Sequence, residues 1–338
     1  MTTIRGIAKI ATGPDSVALA DRPWHGPAPD EVSVEVHAAG ICGTDLHIAR
    51  DEYPAEPPVT MGHEVSGVVA GLGDGVDASW LGARVVCETY YRTCGGCPWC
   101  RDGRRNLCPR RRSLGSFADG GFAPYVVVPV INLHRVPAAV ADHAAALAEP
   151  LSCVCQCLLD PAVVSTGDRV LVTGPGPMGL LAAQVAHGQG GDVSVAGLPA
   201  DQDRLAAASR LGFGTLTTAP EPESFDVVIE CSGSAAGARA AMDGARRGGR
   251  YVGIGIFGAA VTVPLDLLLY KELTMTSGYA TTPRSWRRAM TLMEGGLVDL
   301  GALVSHVLPL ESWRTAFDLL ADGKGLKVIL DPRLPKEL

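Results

Sequence analysis

Along the chain the alternation of hydrophobic and polar positions changes texture once. Up to about residue 150 the apolar residues fall in short alternating or β-branched runs, at 4–10, 31–37, 65–70, 84–87 and 125–128. Such runs predict strands, and the Pro- and Gly-rich stretches between them, such as 15–30, predict turns and loops. Residues 44–50 predict a short helix, and the Ala-rich 138–147 a helix that ends at Glu149-Pro150. From Leu151 onward, apolar strands at 169–173, 192–196, 225–231 and 250–255 alternate with helical patterns at 178–189, 203–211 and 235–247. That alternation predicts a parallel sheet covered on both faces. Helices at 284–294 and 311–321 and a strand at 326–330 close the chain. The fold class is α/β, a β-rich part followed by a doubly wound one.

At 338 residues the chain exceeds one ordinary core, so two domains are expected. The formal charge of −7 offers no basic field for nucleic acid. No apolar run reaches the length of a membrane span, and the first residues lack the apolar centre of a signal peptide. These features predict a cytoplasmic protein with neither nucleic acid nor membrane as partner. In that compartment the ten cysteines favour metal ligands or core thiols over disulfides.

Chemistry concentrates in a few places. Within Gly40-Ile41-Cys42-Gly43-Thr44-Asp45-Leu46-His47 lie a thiol, a hydroxyl, a carboxylate and an imidazole, and His63-Glu64 comes shortly after. Cys, His and Glu together can bind one zinc with a position left open, while a lone Cys or His is commonly structural. These residues alone leave both readings standing. Cys94, Cys97, Cys100 and Cys108 have the spacing C-x2-C-x2-C-x7-C, which suits a closed tetrahedral zinc site, with an iron–sulfur cluster as the rival. The arginines around that loop read as a solvated face. Cys87, Cys153, Cys155, Cys157 and Cys231 read as core thiols.

Gly174-Pro175-Gly176-Pro177-Met178-Gly179 is G-x-G-x-x-G between a predicted strand and a predicted helix, the context in which it binds a dinucleotide pyrophosphate. The next strand ends at Gly197, where an NAD enzyme carries Asp or Glu. Arg204 could meet a 2′-phosphate, and Asp201 and Asp203 would oppose one. The sequence leaves NAD or NADP open, with a tilt to NADP being accepted.

In this order Cys42-Gly43-Thr44-Asp45-Leu46-His47, Gly62-His63-Glu64, the four-cysteine loop, Glu149-Pro150 and the glycine-rich turn resemble the zinc-dependent medium-chain dehydrogenases, the family of alcohol, sorbitol, butanediol and threonine dehydrogenases. The resemblance covers nearly the whole chain. It implies a GroES-like β-rich catalytic domain over 1–150 and 285–338, interrupted by a Rossmann cofactor domain over 151–284. It implies a catalytic zinc on Cys42, His63 and Glu64, with Glu149 binding directly or through water, and a structural zinc on the four cysteines. Thr44 would touch the reacting alcohol, and His47 would end a proton relay through the cofactor ribose. Asp45 is given only a turn or capping role. The implied activity is hydride transfer between a small secondary alcohol (a polyol, a sugar-derived alcohol or a vicinal diol) and NAD(P), in a homodimer or homotetramer. An L-threonine 3-dehydrogenase-like enzyme is the alternative, and a non-catalytic zinc- and dinucleotide-binding scaffold the alternative of another class. The missing acid at Gly197 departs from the family pattern. Glu88, Tyr90, Tyr91 and 277–282 are candidates for the substrate pocket or ordinary loop residues.

Overall fold

In the computed structural model, which describes residues 2–14 and 16–335, the alternating segment becomes strands. They are β1 (Thr3–Lys9), β2 (Val17–Pro23), β3 (Glu31–Gly40), β4 (Glu64–Leu72), β5 (Arg84–Cys87), β6 (Tyr125–Pro129) and β7 (Leu133–Arg135), with helix α1 (Gly43–Ala49) after β3. Helices α2 (Asp142–Ala145) and α3 (Ala148–Leu158) follow. Then come β8 (Arg169–Thr173), α4 (Pro177–Gly188), β9 (Asp192–Ala196), α5 (Gln202–Arg210), β10 (Gly214–Leu216), β11 (Phe225–Glu230), α6 (Ala235–Gly244), β12 (Ala245–Gly253), β13 (Thr274–Ser277) and α7 (Pro283–Glu294). The chain ends in β14 (Val304–Leu308), α8 (Trp313–Ala321) and β15 (Lys327–Leu330). Two compact units result, 1–149 with 304–338, and 150–303.

In the first unit, among the described residues, a seven-stranded sheet runs β7-β5-β4-β3-β15-β14, with β6 also on β3. Val32, Val34 and Val36 of β3 are fully buried, and they pack with Met61, Phe122, Val126, Phe317 and Val328 into one core. The register at the end of β3 brings distant residues together. Gly40 pairs with Glu64 on one side and with Ile329 on the other. Three segments far apart in sequence therefore meet where β3 hands over to α1.

In the second unit, among the described residues, six parallel strands run β10-β9-β8-β11-β12-β13. Val170, Leu171 and Val172 of β8 and Val227, Val228 and Ile229 of β11 are fully buried, as strands covered on both faces require. The chain starts at β8, winds out through β9 and β10, then returns to β11 on the other side. This reversal makes a crevice at the carboxyl ends of β8 and β11, where such sheets take ligands.

Several expectations change. The helix predicted over 138–147 shrinks to Asp142–Ala145, and a longer helix, α3, begins at Ala148. Proline is tolerated in a first turn because its missing N–H has no intrahelical partner there, so Glu149-Pro150 opens a helix instead of ending one. The helix predicted to reach 247 stops at Gly244, and the strand starts at once. β2, β7, β10, β13 and β14 have no counterpart among the strands predicted from the sequence. The predicted division at 285 falls too early, since α7 lies in the second unit and the first resumes at Val304. No described helix is long and apolar enough to cross a membrane.

A charged network closes the first unit. Asp142 accepts from His37 Nδ1 at 2.8 Å and from Arg84 Nη2 at 2.7 Å. Asp331, next to β15, accepts from His143 Nε2 at 2.8 Å and from Arg333 Nη2 at 2.8 Å. Burial pushes the Asp331 carboxyl up, but the bonds from Arg333 and His143 outweigh it and hold it at about 2. A depressed carboxyl gives stability that is complete above its unfolded value, about 4, and lost as pH falls through its folded value. Asp331→Asn is therefore expected to lower stability at neutral pH and to flatten the loss of unfolding free energy between about pH 4 and pH 2. Urea titrations across that range measure it, and an unchanged slope contradicts it.

Candidate active site and metal centres

The end of β3 builds the first site. Ile41 N–H donates to Val328 O at 3.0 Å, which continues the ladder one residue and delivers Cys42 to the N-cap of α1. His63 and Glu64 enter at the start of β4. The Cys42 thiol, the His63 ring and the Glu64 carboxylate have donor atoms within 4.8 Å of one another. His63 and Glu64 are buried and Cys42 is half-buried. Glu149, buried in the first turn of α3, falls outside that group, and its Oε1 accepts a long 3.5 Å bond from Thr89 Oγ1. The Cys42 thiol points its sulfur at Thr44 Oγ1, 3.6 Å away. His47 lies one turn further along α1, with Nδ1 2.7 Å from Glu52 Oε2.

Behind this trio stand two buried charges whose roles the sequence pattern does not reveal. Asp45, fully buried, accepts from Cys42 N–H at 2.9 Å through Oδ2, which is the expected capping bond. Its Oδ1 has no hydrogen-bond partner among the described residues and lies 3.6 Å from His63 Nδ1, too long for a hydrogen bond but close for a charge. Lys327, 3% exposed, donates from Nζ to both oxygens of Glu64 at 2.7 Å and to Ile41 O at 3.1 Å. Burial pushes the His63 imidazole down, yet Asp45 and Cys42 together raise it well above the usual histidine range. Burial likewise opposes the Lys327 charge, and Glu64 and Cys42 outweigh it. A thiol, an imidazole and a carboxylate form a donor set that fits zinc. A carboxylate facing the other nitrogen of a ligating histidine is the outer-shell arrangement such sites use.

The four-cysteine loop forms the second centre. Its sulfurs lie within 4.8 Å of one another, and those of Cys94 and Cys100 are 3.9 Å apart. Tetrahedral thiolates at zinc–sulfur distances of about 2.3 Å would sit about 3.8 Å apart, so the donors fit. Cys97 N–H donates to Cys94 Sγ at 3.3 Å and Cys94 N–H to Cys108 Sγ at 3.4 Å. Amides of Cys97 and Gly96 pull the Cys94 thiol down to about 6. Nearby arginines are engaged locally, Arg101 on Gly96 O, Arg111 on Asn106 O and Arg112 on Glu56. The candidate pocket residues before the loop are also committed elsewhere. Glu88 is buried against His134, Tyr90 is in the core, and Tyr91 donates to Glu31 Oε1 at 2.6 Å. In the other candidate stretch, Cys157 Sγ donates to Gly278 O and Thr282 caps α7.

In the second unit the glycine-rich turn leaves β8 and opens α4. Gly174 has φ +96°, and a Cβ there would lie 2.8 Å from Ser232 N; one on Gly179 would lie 1.9 Å from Gly174 O. Gly176 is the N-cap of α4 and Pro177 its first residue, with Met178 next, so the helix presents an anion-binding end to the crevice side of β8. A side chain at Gly197 would meet Pro175 of that turn, with Cβ 2.8 Å from Pro175 Cγ. Asp201 Oδ2 accepts from Leu198 N–H at 2.9 Å, while Oδ1 stands 4.0 Å from Arg204 Nη1. Glu230, fully buried at the end of β11, accepts from Ser232 N–H at 2.7 Å and Gly233 N–H at 3.0 Å and so shapes the facing loop.

Residues 28–138 match the family model of the alcohol dehydrogenase GroES-like domain, and residues 177–295 that of the zinc-binding dehydrogenases. The chain is 35% identical to the sorbitol dehydrogenase of Halalkalibacterium halodurans over 97% of this chain and 99% of the relative. It is 32% identical to the L-threonine 3-dehydrogenase of Stenotrophomonas maltophilia over 92% and 95%. A crystal structure of a zinc-binding dehydrogenase from Sinorhizobium meliloti bound to NADP superposes with a TM-score of 0.89 at 30% identity, covering 98% of this chain and all of the other.

Lys327→Met leaves the Glu64 carboxylate buried without its counter-charge and is expected to cost about 3–5 kcal/mol. Adding Glu64→Gln removes the orphaned charge and recovers most of that loss. Urea unfolding of the single and double variants checks this, and equal destabilisation of both contradicts it.

Proposed function

The chain belongs to the zinc-dependent medium-chain dehydrogenases, and from that premise we propose that it oxidises the secondary hydroxyl of a polyol, sugar-derived alcohol or vicinal diol, with NADP or NAD as hydride acceptor. The observation that carries this reading is the trio Cys42, His63 and Glu64, braced from behind by Asp45 and Lys327. Zinc held there supplies a Lewis acid that makes a hydroxyl acidic near neutral pH. Cys42, His63 and Glu64 hold it, with Glu149 as a further donor, directly or through water. Thr44 would accept the hydrogen bond of the substrate hydroxyl and hand on its own proton as it receives one, and His47, at the end of the route through the cofactor ribose, would release a proton to solvent. Cys94, Cys97, Cys100 and Cys108 hold a second zinc that locks their loop.

For the cofactor, Gly174 makes the tight turn, Gly176 leaves room for the pyrophosphate and Gly179 lets α4 pack against the turn, so that the N-terminal end of α4, at Pro177 and Met178, receives the pyrophosphate with the helix dipole. Gly197 offers no carboxylate to the ribose and has no room for one, which removes the usual repulsion of a 2′-phosphate. Arg204 is the cation for that phosphate, and Asp201 spends one oxygen on Leu198 N–H. The NADP in the Sinorhizobium meliloti structure supports this preference. A threonine-like amino alcohol is the second reading, favoured by the 32% identity to L-threonine 3-dehydrogenase.

Metal analysis and a panel of polyols, sugar acids, diols and threonine, followed by NAD(P)H absorbance, test the function. Two zincs per chain are expected, and Cys42→Ser should lose at least about 100-fold in turnover while still binding the dinucleotide. A zinc-free Cys42→Ser protein with full activity overturns the mechanism, and one zinc with no turnover on any alcohol indicates a scaffold. Arg204→Met should raise the KM for NADP about 10- to 100-fold, the loss of one charge-assisted hydrogen bond, and leave that for NAD unchanged. Equal effects on both cofactors contradict the role of Arg204.

A further inference from the structure

The turn after α1 is braced from the neighbouring segment. Asp51 takes the left-handed conformation, φ +63°, which Asp enters more readily than most non-glycine residues. It is held there by Lys9, a fully buried ammonium 3.0 Å from Asp51 Oδ1, and by Gly13 N–H on Oδ2 at 2.7 Å. Lys9 Nζ also donates to Gly13 O at 2.7 Å and Ala49 O at 3.2 Å. The product of this bracing is the placement of the next residue. Glu52 N–H donates to His47 O at 2.8 Å, and Glu52 Oε2 lies 2.7 Å from His47 Nδ1. The two side chains are 37% and 51% exposed, so as an ion pair they add at most about 1 kcal/mol. Held by its backbone and its carboxylate together, Glu52 fixes the His47 ring while adding little stability.

We propose that Glu52 is the positioning residue of His47, fixing its proton on Nδ1 so that Nε2 is the atom through which the substrate proton leaves. This role rests on His47 ending the proton route of the proposed dehydrogenase. An ionised carboxylate only accepts, so the hydrogen between the two groups belongs to Nδ1, and in the neutral ring Nε2 is then the bare acceptor. Nε2 has no hydrogen-bond partner among the described residues. During oxidation Nε2 takes up one proton. The imidazolium keeps its Nδ1–H on Glu52, and Nε2 then returns its proton to water. Glu52 stays ionised throughout and no proton is retained.

The test uses the zinc-loaded enzyme and three variants, Glu52→Ala, Glu52→Gln and His47→Ala. The readouts are the first-turnover rate of proton release to a pH indicator and the substrate KM. Glu52→Ala should slow proton release roughly 10-fold, a part of the general acid–base contribution, with KM changed less than about twofold. Glu52→Gln, whose amide oxygen accepts the same bond, should recover most of that rate. Slow release in His47→Ala beside wild-type release in Glu52→Ala overturns the role of Glu52 alone. A Glu52→Gln variant as slow as Glu52→Ala overturns it too. Wild-type release in His47→Ala overturns the relay reading on which it stands.

Discussion

An ammonium and a carboxylate lie together in the interior at the end of β3, and the geometry of the first unit reflects the need to keep them paired. Glu64 is 1% exposed, and a carboxylate buried so deeply without a partner is costly. Lys327 meets both of its oxygens and also takes the carbonyl of Ile41, so one side chain binds the start of β4, the end of β3 and the start of β15. Each of those strand ends is then fixed to within a hydrogen-bond length. Cys42, two residues past Gly40, inherits its position from that junction. Desolvation makes such a pair a poor source of net stability. Its contribution is placement, because an unmatched register would leave a buried charge alone.

The two candidate metal centres differ in how they are held. The cysteine loop takes its donors from residues 94–108, and its own amides point at the sulfurs. It is a local device that needs little from the sheet. The Cys42 centre takes its donors from two strand ends, and its outer charges from α1 and from the last strand. Asp45 illustrates the economy of this arrangement, since one oxygen caps α1 while the other faces His63. Chemistry that must stay open to a substrate is thus tied to the most over-determined part of the fold.

Local features are legible in the sequence. The glycine-rich turn, the spacing of the four cysteines and the alternating runs of β3 and β4 each carry their meaning within a few residues. Lys327 is not legible in the same way, because its partner lies 263 positions away. A signal exists: a single charge inside the apolar run Leu326-Lys327-Val328-Ile329-Leu330 is either an edge residue or a buried ion with a partner. Asp45 is legible as a cap, and only the approach of His63 gives it a second use. Helix α3 is hidden by Pro150, which reads as a stop although the first turn accepts it. β14 is hidden because Ser305 and His306 break its apolar run. The residues around Tyr90 carry polar groups that the fold uses internally.

The interruption of the first unit by the second has a consequence for the order of assembly on the ribosome. Every strand of the second sheet lies between residues 169 and 277, so that unit has its full complement while the last segment is still unmade. The first sheet, begun earlier, keeps the end of β3, at Ala39 and Gly40, unpaired on one side until β15 has emerged. Until then the carboxylate of Glu64 has no counter-ion, and the junction that places Cys42 is incomplete. Domains tend to fold as units during synthesis. Here the part made first must wait for β15, and the nascent chain cannot assemble its reactive centre before the whole of the second unit has been translated.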